Sequence, residues 1–501
     1  MVPLPHAWHH SHALLHLPEA QVLSHLNGRH PALPADRLTR VENFGHSIAA
    51  PGYVFRPTQP GQVADLFHAA RKQGFTIGLR GAGRSYGDAA INRGQAVLDL
   101  SRMRRLLAWD PHKGILKVEP GFTIQNLWQS TLEDGWWGPV MPGTMFPTLG
   151  GCLSSNIHGK NNWHAGPIGE HVLEFTALLP NGREVTCTPG KNADLFHAMI
   201  GGMGLLGVFT SITLQLKKVH SGYLDVRAWA EPNLARILAA TDEGKDHDYI
   251  VGWVDCTAGG RGLGRGQMHS ADYLPEGADP EPAQSLRVEH QALSPNLFGI
   301  VPRSIIHQAM KLGFHNPGIW AVNTAKYTLN RTLGHDKRYW QSFVAFNFLL
   351  DYVPDWERAY GRGGLIQYQT FLPKAAAAEA WRDMLRLCQR RGLPSYLGVV
   401  KRHRPDKFLL SHALDGFSLA MDFKVSDRNR HKLHALTADL TRIALAAGGR
   451  FYFAKDSALT AADARAYLGD ETIAKFQVLK HKSDPHGILQ TDLYRRCFSN
   501  E

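Results

Sequence analysis

The chain has 501 residues, enough for two or three domains. Hydrophobic residues make up 44% of the chain and charged residues 20%, a balance that is typical of globular proteins and excludes wholesale disorder. Its 55 Lys and Arg against 44 Asp and Glu give a net charge of +11, which favours an anionic partner such as a phosphate group, a nucleic acid or an acidic membrane.

Cysteine usage and hydropathy exclude further classes of protein. The five cysteines lie far apart and form no C-x-x-C pair, so we expect neither a disulfide framework nor a metal site. No apolar run approaches the roughly 18 residues of a membrane-spanning helix. Residues 1–20 lack the basic start of a signal peptide. We therefore expect a cytoplasmic protein that contacts a membrane, if at all, only at its surface.

In chain order, the first predicted elements are a helix and a strand. Residues 62–74 carry apolar side chains at the i, i+3, i+4 and i+7 positions of one helix face. Residues 76–79 then form a short strand pattern that ends in glycines. A helix, a strand and a glycine-rich turn are typical of the beginning of an α/β unit.

Short β-rich segments follow, and the turn Pro180-Asn181-Gly182 predicts a hairpin between two of them. Together with the first helix, they give residues 1–220 an α+β character. The segments are 96–100, 115–118, 174–179, 183–187 and 208–216.

A change in segment length and loop composition predicts a second domain over residues 221–446. Its segments are longer, its loops are rich in Gly and Pro, and a helix is expected to begin after Pro373. Residues 447–501 return to a strand pattern at 450–454 and a helical pattern beyond it. We expect this last segment to rejoin the first domain.

The turn at residues 81–88, with the sequence G-A-G-R-S-Y-G-D, places several flexible backbone N–H groups where they could cradle a phosphate. It does not match the dinucleotide pattern G-x-G-x-x-G, because Tyr86 stands in place of the third glycine. An ordinary structural turn is the alternative interpretation.

Two further glycine-rich stretches lie at residues 142–161 and 201–207. Small residues allow the backbone to approach a flat or phosphorylated ligand closely, and His158, Lys160 and Asn161 supply donors at one place. A solvated loop with a helix cap is the alternative. Cys152 lies in the first stretch without any nucleophile partner nearby, so we interpret it as structural.

Two segments late in the chain also place polar groups on strand patterns. Gln367 and Gln369 alternate with an aromatic residue, so both amides face one side, where they suit a polyhydroxyl ligand or simply face solvent. Tyr452 and Lys455 fall on an apolar strand pattern with Asp456 beside the lysine. Lys455 is either half-buried with an adjusted pKa or part of a surface ion pair.

These motifs, in this order, resemble the FAD domain of the vanillyl-alcohol oxidase/p-cresol methylhydroxylase (PCMH) superfamily. The resemblance rests on residues 81–88, Pro142-Gly143-Thr144, Gly150-Gly151 and residues 157–161, with the sequence I-H-G-K-N. Later motifs extend it to the sugar-oxidising branch of that superfamily over most of the chain beyond residue 40. They are R-A-Y-G at 358–361, residues 365–369, Y-F-A-K-D-S at 452–457, Asp484-Pro485, Asp492 and Arg495-Arg496.

The resemblance implies an α+β fold: a two-subdomain PCMH-type FAD-binding domain, and a substrate domain built on an antiparallel sheet with flanking helices. In the wider superfamily a histidine before the serine of the first glycine turn often bonds FAD covalently, whereas Arg84 occupies that position here. Non-covalent FAD is therefore implied. The implied FAD contacts are Arg80, Gly81, Ala82, Gly83, Arg84, Ser85, Tyr86, Gly87, Asp88, Gly143, Thr148, Gly150, Gly151, Ser155, His158, Val208 and Tyr452.

The same resemblance implies the oxidation of a secondary hydroxyl of a sugar or polyol, with a polyprenyl-phosphate pentose as one candidate. The hydride would pass to flavin N5 and the hydroxyl proton to a base. Lys455 and His158 are the implied catalytic residues, with Lys455 favoured for proton handling and His158 for positioning. The implied substrate contacts are Lys160, Gln367, Gln369, Lys401 and Ser418.

Two positions depart from the sugar-oxidising branch. Ala420 stands where the family carries an active-site cysteine, and Ser418 replaces an asparagine in the same strand. Asn347-Phe348 replaces a tyrosine-histidine pair ahead of the R-A-Y-G motif. We therefore expect inhibitors that bond covalently to the family's active-site cysteine to fail on this protein. We also expect the entrance of its substrate pocket to differ from that of the family.

Two alternative reactions remain open from the sequence. An aldonolactone or alditol oxidase would return electrons to O2, and a sterol-type reductase would move hydride to a C=C bond. The oxidation could also be one half of a two-protein epimerase whose partner is an NAD(P)H-dependent short-chain reductase. Nucleic-acid binding is disfavoured, because the basic residues are scattered along the chain rather than clustered on one element.

Overall fold

A computed structural model describes residues 32–297 and 301–499 of the chain. Within these residues the fold is α+β, as the sequence predicts, with three main sheets and helices packed against them. None of the described helices has the length and apolar character needed to cross a bilayer.

The first sheet has four strands, and the predicted helix packs on it as Pro60–Gln73. Its apolar stripe is buried against the sheet, and a proline at the first helical turn fixes where the helix begins. The first strand pair is antiparallel and the other two are parallel. In spatial order the strands are Leu38–Glu42, Ala49–Phe55, Ala96–Asp99 and Ile77–Arg80.

The second sheet is antiparallel and contains the predicted hairpin. Gly182 has a φ of 88°, and Leu179 N–H donates to the Arg183 carbonyl across the turn at 2.9 Å. Glycine adopts this left-handed conformation without steric cost, so local turn chemistry fixes the hairpin. The strands are, in spatial order, Leu106–Asp110, Ile115–Val118, Val208–Gln215, Val172–Leu178 and Glu184–Cys187.

The third and largest sheet, called the large sheet below, is antiparallel throughout. Helices Leu234–Glu243, Lys374–Arg390 and Arg430–Ala446 pack on it. In spatial order its eight strands are Lys337–Ser342, Tyr223–Glu231, Gly266–Tyr273, Tyr249–Val254, Leu397–His403, Gly416–Lys424, Leu365–Pro373 and Arg450–Phe451.

The remaining elements are short or lie at the edges of the sheets. Two small ribbons pair Trp136–Trp137 with Lys217–Lys218, and Asn296–Leu297 with Val301–Pro302. The other helices are Ile124–Thr131, Leu149–Ser154, Asn162–Ala165, Ala193–Met199, Pro282–Ser285, Val288–Gln291, Arg303–Gly313, Asn316–Thr332, Phe343–Asn347, Ala461–Leu468, Asp470–Ser483 and Asp492–Cys497. The 3-10 turns are Ala35–Arg37, Leu100–Arg102, Ile168–His171, Gly244–Asp246, Gly260–Gly262, Leu349–Tyr352 and Trp356–Tyr360.

The end of the chain returns to its beginning. Leu489 forms a bridge with Ile77 of the first sheet, and the Lys480 ammonium donates to the Leu205 carbonyl at 2.9 Å. The last strand, however, belongs to the large sheet and stops at Phe451. The strand predicted over 450–454 is therefore too long, because Lys455 N–H donates to the Tyr452 carbonyl and turns the backbone out of the sheet. The domain limits at residues 220 and 446 stay predictions.

Candidate active site

A cavity of about 550 Å³ lies between the glycine-rich segments and one face of the large sheet. On the first side, the predicted residues that line it are Arg80, Gly81, Ala82, Gly83, Arg84, Ser85, Tyr86, Gly143, Thr148, Gly150, Gly151 and Ser155. On the second side, they are His158, Lys160, Gln367, Gln369, Lys401, Ser418, Tyr452 and Lys455. The structure thus brings together most of the residues that the sequence singles out.

Three predicted FAD contacts do not line this cavity. Gly87 packs against backbone, since a Cβ built on it would lie 1.7 Å from the Asp456 carbonyl oxygen. The Asp88 carboxylate is engaged by Arg496 at 2.8 and 3.0 Å. Val208 is fully buried in the core of the first sheet. All three contribute to the structure that supports the site rather than to its surface.

The first glycine turn presents free donors to the cavity. Within the described part of the chain, no backbone N–H of residues 81–85 donates to a protein acceptor. Gly81 approaches Thr148 so closely that a Cβ would lie 2.2 Å from the threonine Oγ1, and Gly83 has a φ of 67°. The turn therefore needs glycine at these two positions, and it leaves its N–H groups for a ligand.

Arg84, at the end of this turn, lies between two aromatic rings. Its guanidinium carbon is 5.0 Å from the centroid of Phe44 and 5.0 Å from that of Phe146. Cation–π contacts of this kind fix a guanidinium in place without using its N–H groups. The side chain therefore closes one end of the cavity as a positioned cation.

Three neighbouring strands of the large sheet direct every second side chain toward the cavity. Strand pairing sets Gln367 opposite Asp422, Gln369 opposite Ala420, and Ser418 opposite Lys401. Because side chains alternate along a strand, these residues share one face. Tyr368 points the other way, where its hydroxyl bonds to that of Thr441 at 3.1 Å. The predicted alternation at residues 367–369 is thus what the structure shows.

The carboxylate of Asp422 is fully buried on the cavity face of the large sheet, opposite Gln367, although Asp422 itself does not line the cavity. One of its oxygens accepts from the Gln367 amide at 2.5 Å, and the other has no partner among the described residues. Burial raises the pKa of Asp422, and the nearby Lys455 opposes that rise. Burial lowers the pKa of Lys455, and the Asp422 charge opposes that fall.

Lys455 does not form the surface ion pair that was one interpretation of its sequence. Its neighbour Asp456 pairs instead with Arg496, at 2.8 Å between the charged atoms. The Lys455 ammonium lies 5.7 Å from the ring centroid of Tyr86 and lines the cavity. The turn that follows Phe451 causes this, because it directs residues 455 and 456 to opposite sides of the backbone.

His158 lies in a buried aromatic cluster with His403, His412, Tyr452 and Phe371. Its ring centroid is 4.9 Å from that of His403 and 5.3 Å from those of His412 and Tyr452. Burial and the surrounding cations hold the pKa of His158 well below its ordinary value, so the ring is neutral. Its Nε2 accepts from the Gln369 amide at 3.2 Å, which leaves the proton on Nδ1.

A second buried histidine, His403, connects the sheet to the segment after the second glycine stretch. Its Nδ1 lies 2.9 Å from the side-chain Oδ1 of Asn162, and its Nε2 lies 2.8 Å from the Ser418 hydroxyl. Burial lowers the pKa of His403, so the neutral ring donates from Nδ1 and accepts the serine hydroxyl at Nε2. This fixes the direction of the Ser418 O–H bond beside the cavity.

The cavity also contains more cations than carboxylates. Lys160 is buried, its ammonium donates to the Phe346 carbonyl, and burial lowers its pKa to about 7. Burial, with Lys455 and Lys160 nearby, also holds the pKa of Lys401 well below its usual value. At the opposite side, the Lys326 ammonium lies 4.1 Å from the Trp253 ring centroid, and both residues line the cavity.

The sequence pattern missed several of these residues. Asp422 lies two residues beyond Ala420 and four beyond Ser418, so strand alternation alone could have placed it on the same face. His403 follows Lys401 in the same way. Trp253 and Lys326 gave no signal, since only the pairing of distant strands and the packing of a helix bring them to the cavity.

Comparison with known proteins bears on this cavity. A family model described as an FAD binding domain matches residues 51–188, which include both main glycine stretches. Decaprenylphosphoryl-β-D-ribose oxidase of Mycolicibacterium smegmatis is 31% identical over 91% of this chain and 97% of its own length. The chain belongs to the FAD-linked oxidases of the vanillyl-alcohol oxidase/PCMH superfamily. It is thus an FAD-dependent oxidoreductase.

Other members of the FAD-linked oxidases match a smaller part of the chain. Cytokinin dehydrogenase 10 of Oryza sativa subsp. japonica is 29% identical over 46% of this chain and 44% of its own. L-gulonolactone oxidase of Mus musculus is 28% identical over 33% of this chain and 37% of its own. The first relative matches almost the whole chain, whereas these two share less than half of it.

The cavity of this FAD-linked oxidase fits its cofactor. The unengaged N–H groups of residues 81–85 can donate hydrogen bonds to the two phosphates, as backbone N–H groups do in other phosphate-binding turns. A buried guanidinium nitrogen of Arg80, beside the same turn, has no partner within residues 32–297 and 301–499. The donor set therefore suits a pyrophosphate, and the cavity beyond it suits a flat ring system.

Proposed function

We propose that this FAD-linked oxidase oxidises a secondary hydroxyl of a sugar or polyol, with FAD bound non-covalently. The observation that carries the proposal is the set of polar groups facing the glycine turns across the cavity. Lys455, Gln367 and Gln369 line the cavity, and Asp422 lies on the same sheet face beside Gln367. The Oε1 atom of each glutamine and one Asp422 oxygen have no partner among the described residues. Such a set suits a ligand with several hydroxyl groups.

The cofactor would be held by residues 79–86 and 148–158, with Tyr452 closing the cavity over it. When bound, FAD supplies the hydride acceptor that alcohol oxidation requires. Non-covalent binding is proposed because Arg84 has no nucleophilic atom at the position where a histidine tethers FAD in relatives. Its place between Phe44 and Phe146 instead supplies a fixed positive charge.

Lys455 would take the hydroxyl proton of the substrate. Its lowered pKa makes the neutral amine accessible near neutral pH, and a base works best when its pKa lies near the operating pH. Once protonated, the ammonium would stabilise negative charge that develops in the cavity. Asp422, which faces the lysine, would set the balance between these two forms.

The two glutamines and His158 would orient the substrate. Each glutamine has an Oε1 without a partner in the described part of the chain, and each oxygen can accept from a sugar hydroxyl. The Gln369 amide is fixed by His158 Nε2, and the Gln367 amide by Asp422. Their acceptor oxygens are thereby held in place before substrate arrives, which lowers the entropy cost of binding.

Within the sugars and polyols, the substrate class that we propose is a polyprenyl-phosphate pentose. The support is the relative named decaprenylphosphoryl-β-D-ribose oxidase, together with Lys160 and Lys401, two buried lysines whose lowered pKa values a bound phosphate would raise. An NAD(P)H-dependent short-chain reductase that reduces the keto product is the proposed partner.

We place the enzyme in the cytoplasm. Its proposed domains are the FAD-binding domain at 1–220, the substrate domain at 221–446 and a returning segment at 447–501.

The test is the visible absorption spectrum of the purified protein, before and after acid precipitation. We expect a flavin spectrum whose chromophore leaves with the supernatant, and anaerobic bleaching by a pentose or polyol. Lys455→Ala should keep the spectrum and lose the bleaching, whereas Lys72→Ala, at an exposed helix end, should keep both.

Other outcomes would overturn parts of the proposal. Flavin in the pellet would contradict the interpretation of Arg84 and favour an alditol oxidase. Bleaching by an aldonolactone alone, or flavin reduction by NADPH followed by reoxidation with an alkene, would replace the proposed reaction. No bleaching with any pentose, hexose or polyol would remove its support.

A further inference from the structure

The exposed apolar side chains of this protein are concentrated in one short part of the chain. Among the described residues, fourteen large hydrophobic side chains are exposed, and nine of these lie between residues 305 and 349. Scattered single exposures are normal on a protein surface, but a concentration of this kind marks an interaction site. The nine are Ile305, Leu312, Trp320, Val322, Leu329, Leu333, Tyr339, Trp340 and Leu349.

Two adjacent helices carry most of them in stripes. Helix Arg303–Gly313 has no buried residue, and Ile305 and Leu312 are seven positions apart on its exposed side. Helix Asn316–Thr332 buries Ile319, Asn323 and Tyr327 against the large sheet. Its exposed Val322 and Leu329 form a second stripe that Leu333, the residue at the helix end, extends. We call Ile305, Leu312, Val322, Leu329 and Leu333 the apolar face.

The segment that carries the apolar face is itself mostly basic, although Arg338 is paired with Asp225 of a neighbouring strand. Residues 303–340 contain six Lys or Arg and a single acidic residue, Asp336, which pairs with Arg227 at 2.5 Å. Two copies of this surface would bring like charges together, whereas anionic phospholipid headgroups would neutralise them. An amphipathic helix with basic residues and exposed tryptophan is typical of a protein that lies in the bilayer interface.

The apolar face lies close in sequence to two residues that line the cavity. Lys326, on the same helix as Val322 and Leu329, is exposed and also lines the cavity. Leu349 is 51% exposed and lines it as well. A bilayer that contacts this face would therefore lie close to residues that line the cavity.

We propose that the apolar face and its basic surroundings dock this protein on the surface of an anionic phospholipid bilayer. Ile305, Leu312, Val322, Leu329 and Leu333 would enter the interface, and Lys311, Arg331 and Lys337 would contact headgroup phosphates. The docking goes beyond the proposed reaction and holds whether or not the substrate carries a lipid. It requires no membrane-spanning segment.

Vesicle flotation with the FAD-loaded protein tests the docking. The vesicles are phosphatidylcholine alone, or phosphatidylcholine with about one third phosphatidylglycerol, each at low and high salt. We expect flotation with the anionic vesicles at low salt and at least a tenfold loss of partitioning at roughly 0.5 M salt, because screening weakens headgroup attraction.

Matched variants separate the face from the rest of the surface. Val322→Ser/Leu329→Ser/Leu333→Ser should reduce partitioning about tenfold or more, since each loses apolar burial in the interface. Leu106→Ser/Leu107→Ser/Leu173→Ser, on the exposed side of the second sheet, should leave it unchanged. Lys311→Gln/Arg331→Gln/Lys337→Gln should remove the preference for anionic vesicles, and Lys72→Gln/Arg183→Gln/Lys191→Gln should not.

Three results would overturn the docking. They are no flotation of the holoenzyme with anionic vesicles, equal flotation of the serine variant and its control, and a dimer in sedimentation that only the serine variant abolishes. The last would assign the face to a second copy of the chain. The flavin spectrum of each variant reports that it is folded, so a failure of docking is distinct from a failure of the proposed oxidation.

Discussion

The Gln367 amide donates to one oxygen of Asp422 at 2.5 Å, and the other carboxylate oxygen has no partner among the described residues. The bond orients both side chains. Among the described residues, Lys455 is the cation whose charge opposes the rise that burial causes in the pKa of Asp422. The protonation of the lysine therefore depends on the aspartate, and this dependence can be measured.

Asp422→Asn should move the pH profile of the enzyme to lower pH. The Asp422 charge favours the ammonium form of Lys455, so its removal should lower the pKa of that lysine further. Because the neutral amine is the proposed base, the rising limb of kcat/KM against pH should shift down by about one unit. Glu379→Gln, at an exposed helix position, should leave the limb in place. A limb that moves to higher pH would contradict Lys455 as base.

Ala420→Cys should make the enzyme sensitive to thiol reagents. The five native cysteines are all buried, and burial raises the pKa of each, so the unmodified enzyme should resist such reagents. A thiol at position 420 would line the cavity opposite Gln369. We expect one added group by mass spectrometry and loss of most activity. Ala375→Cys, on an exposed helix surface, should be labelled without that loss. Rapid inactivation of the native enzyme would contradict this prediction.

Arg496→Leu should destabilise the protein strongly. The guanidinium binds Asp88 at 2.8 and 3.0 Å and Asp456 at 2.8 Å, and all three side chains are nearly buried. Its removal leaves two buried carboxylates unpaired, at a cost of about 3–5 kcal/mol. Arg465→Leu, which breaks an exposed pair with Asp470, should cost about 1 kcal/mol or less. Denaturant unfolding curves give both values, and equal costs would contradict the prediction.

Gly81→Ala should weaken FAD binding. The added Cβ would lie 2.2 Å from Thr148 Oγ1, so the turn must move away from the donors it presents to the cofactor. We expect the dissociation constant for FAD to rise about tenfold, equivalent to about 1.4 kcal/mol. Gly61→Ala has open space around its Cβ and is the control. Thr148→Ala removes the clashing oxygen, so it should restore part of the affinity in the double variant.

Local chemistry explains which parts of the fold the sequence predicted well. The first helix follows from apolar spacing and an N-terminal proline, and the 180–182 hairpin from a glycine that must adopt positive φ. The strand expected over 450–454 failed because apolar residues continue past Phe451 while the backbone turns. Burial of residues 452–454 maintains the apolar pattern without a strand.

The residues of the site also divide into those that local sequence patterns predicted and those that they did not. The glycine turns and the pair Gln367 and Gln369 were visible because their patterns are contiguous in sequence. Trp253 lines the cavity because its strand pairs with that of Val399, which in turn pairs with that of Ala420. No short window of sequence contains such a row, since Trp253 lies more than a hundred residues before the other two strands and only the sheet sets their register.

The contact between Asp88 and Arg496 joins positions 408 residues apart. During synthesis, the glycine turn leaves the ribosome long before the helix that fixes its far end. The contact between Asp88 and Arg496 can therefore form only after the strands of the large sheet have been synthesised. Closing so long a loop is slow. An FAD supplied early would meet an incomplete site, so cofactor loading belongs among the last steps by which this chain reaches its native state.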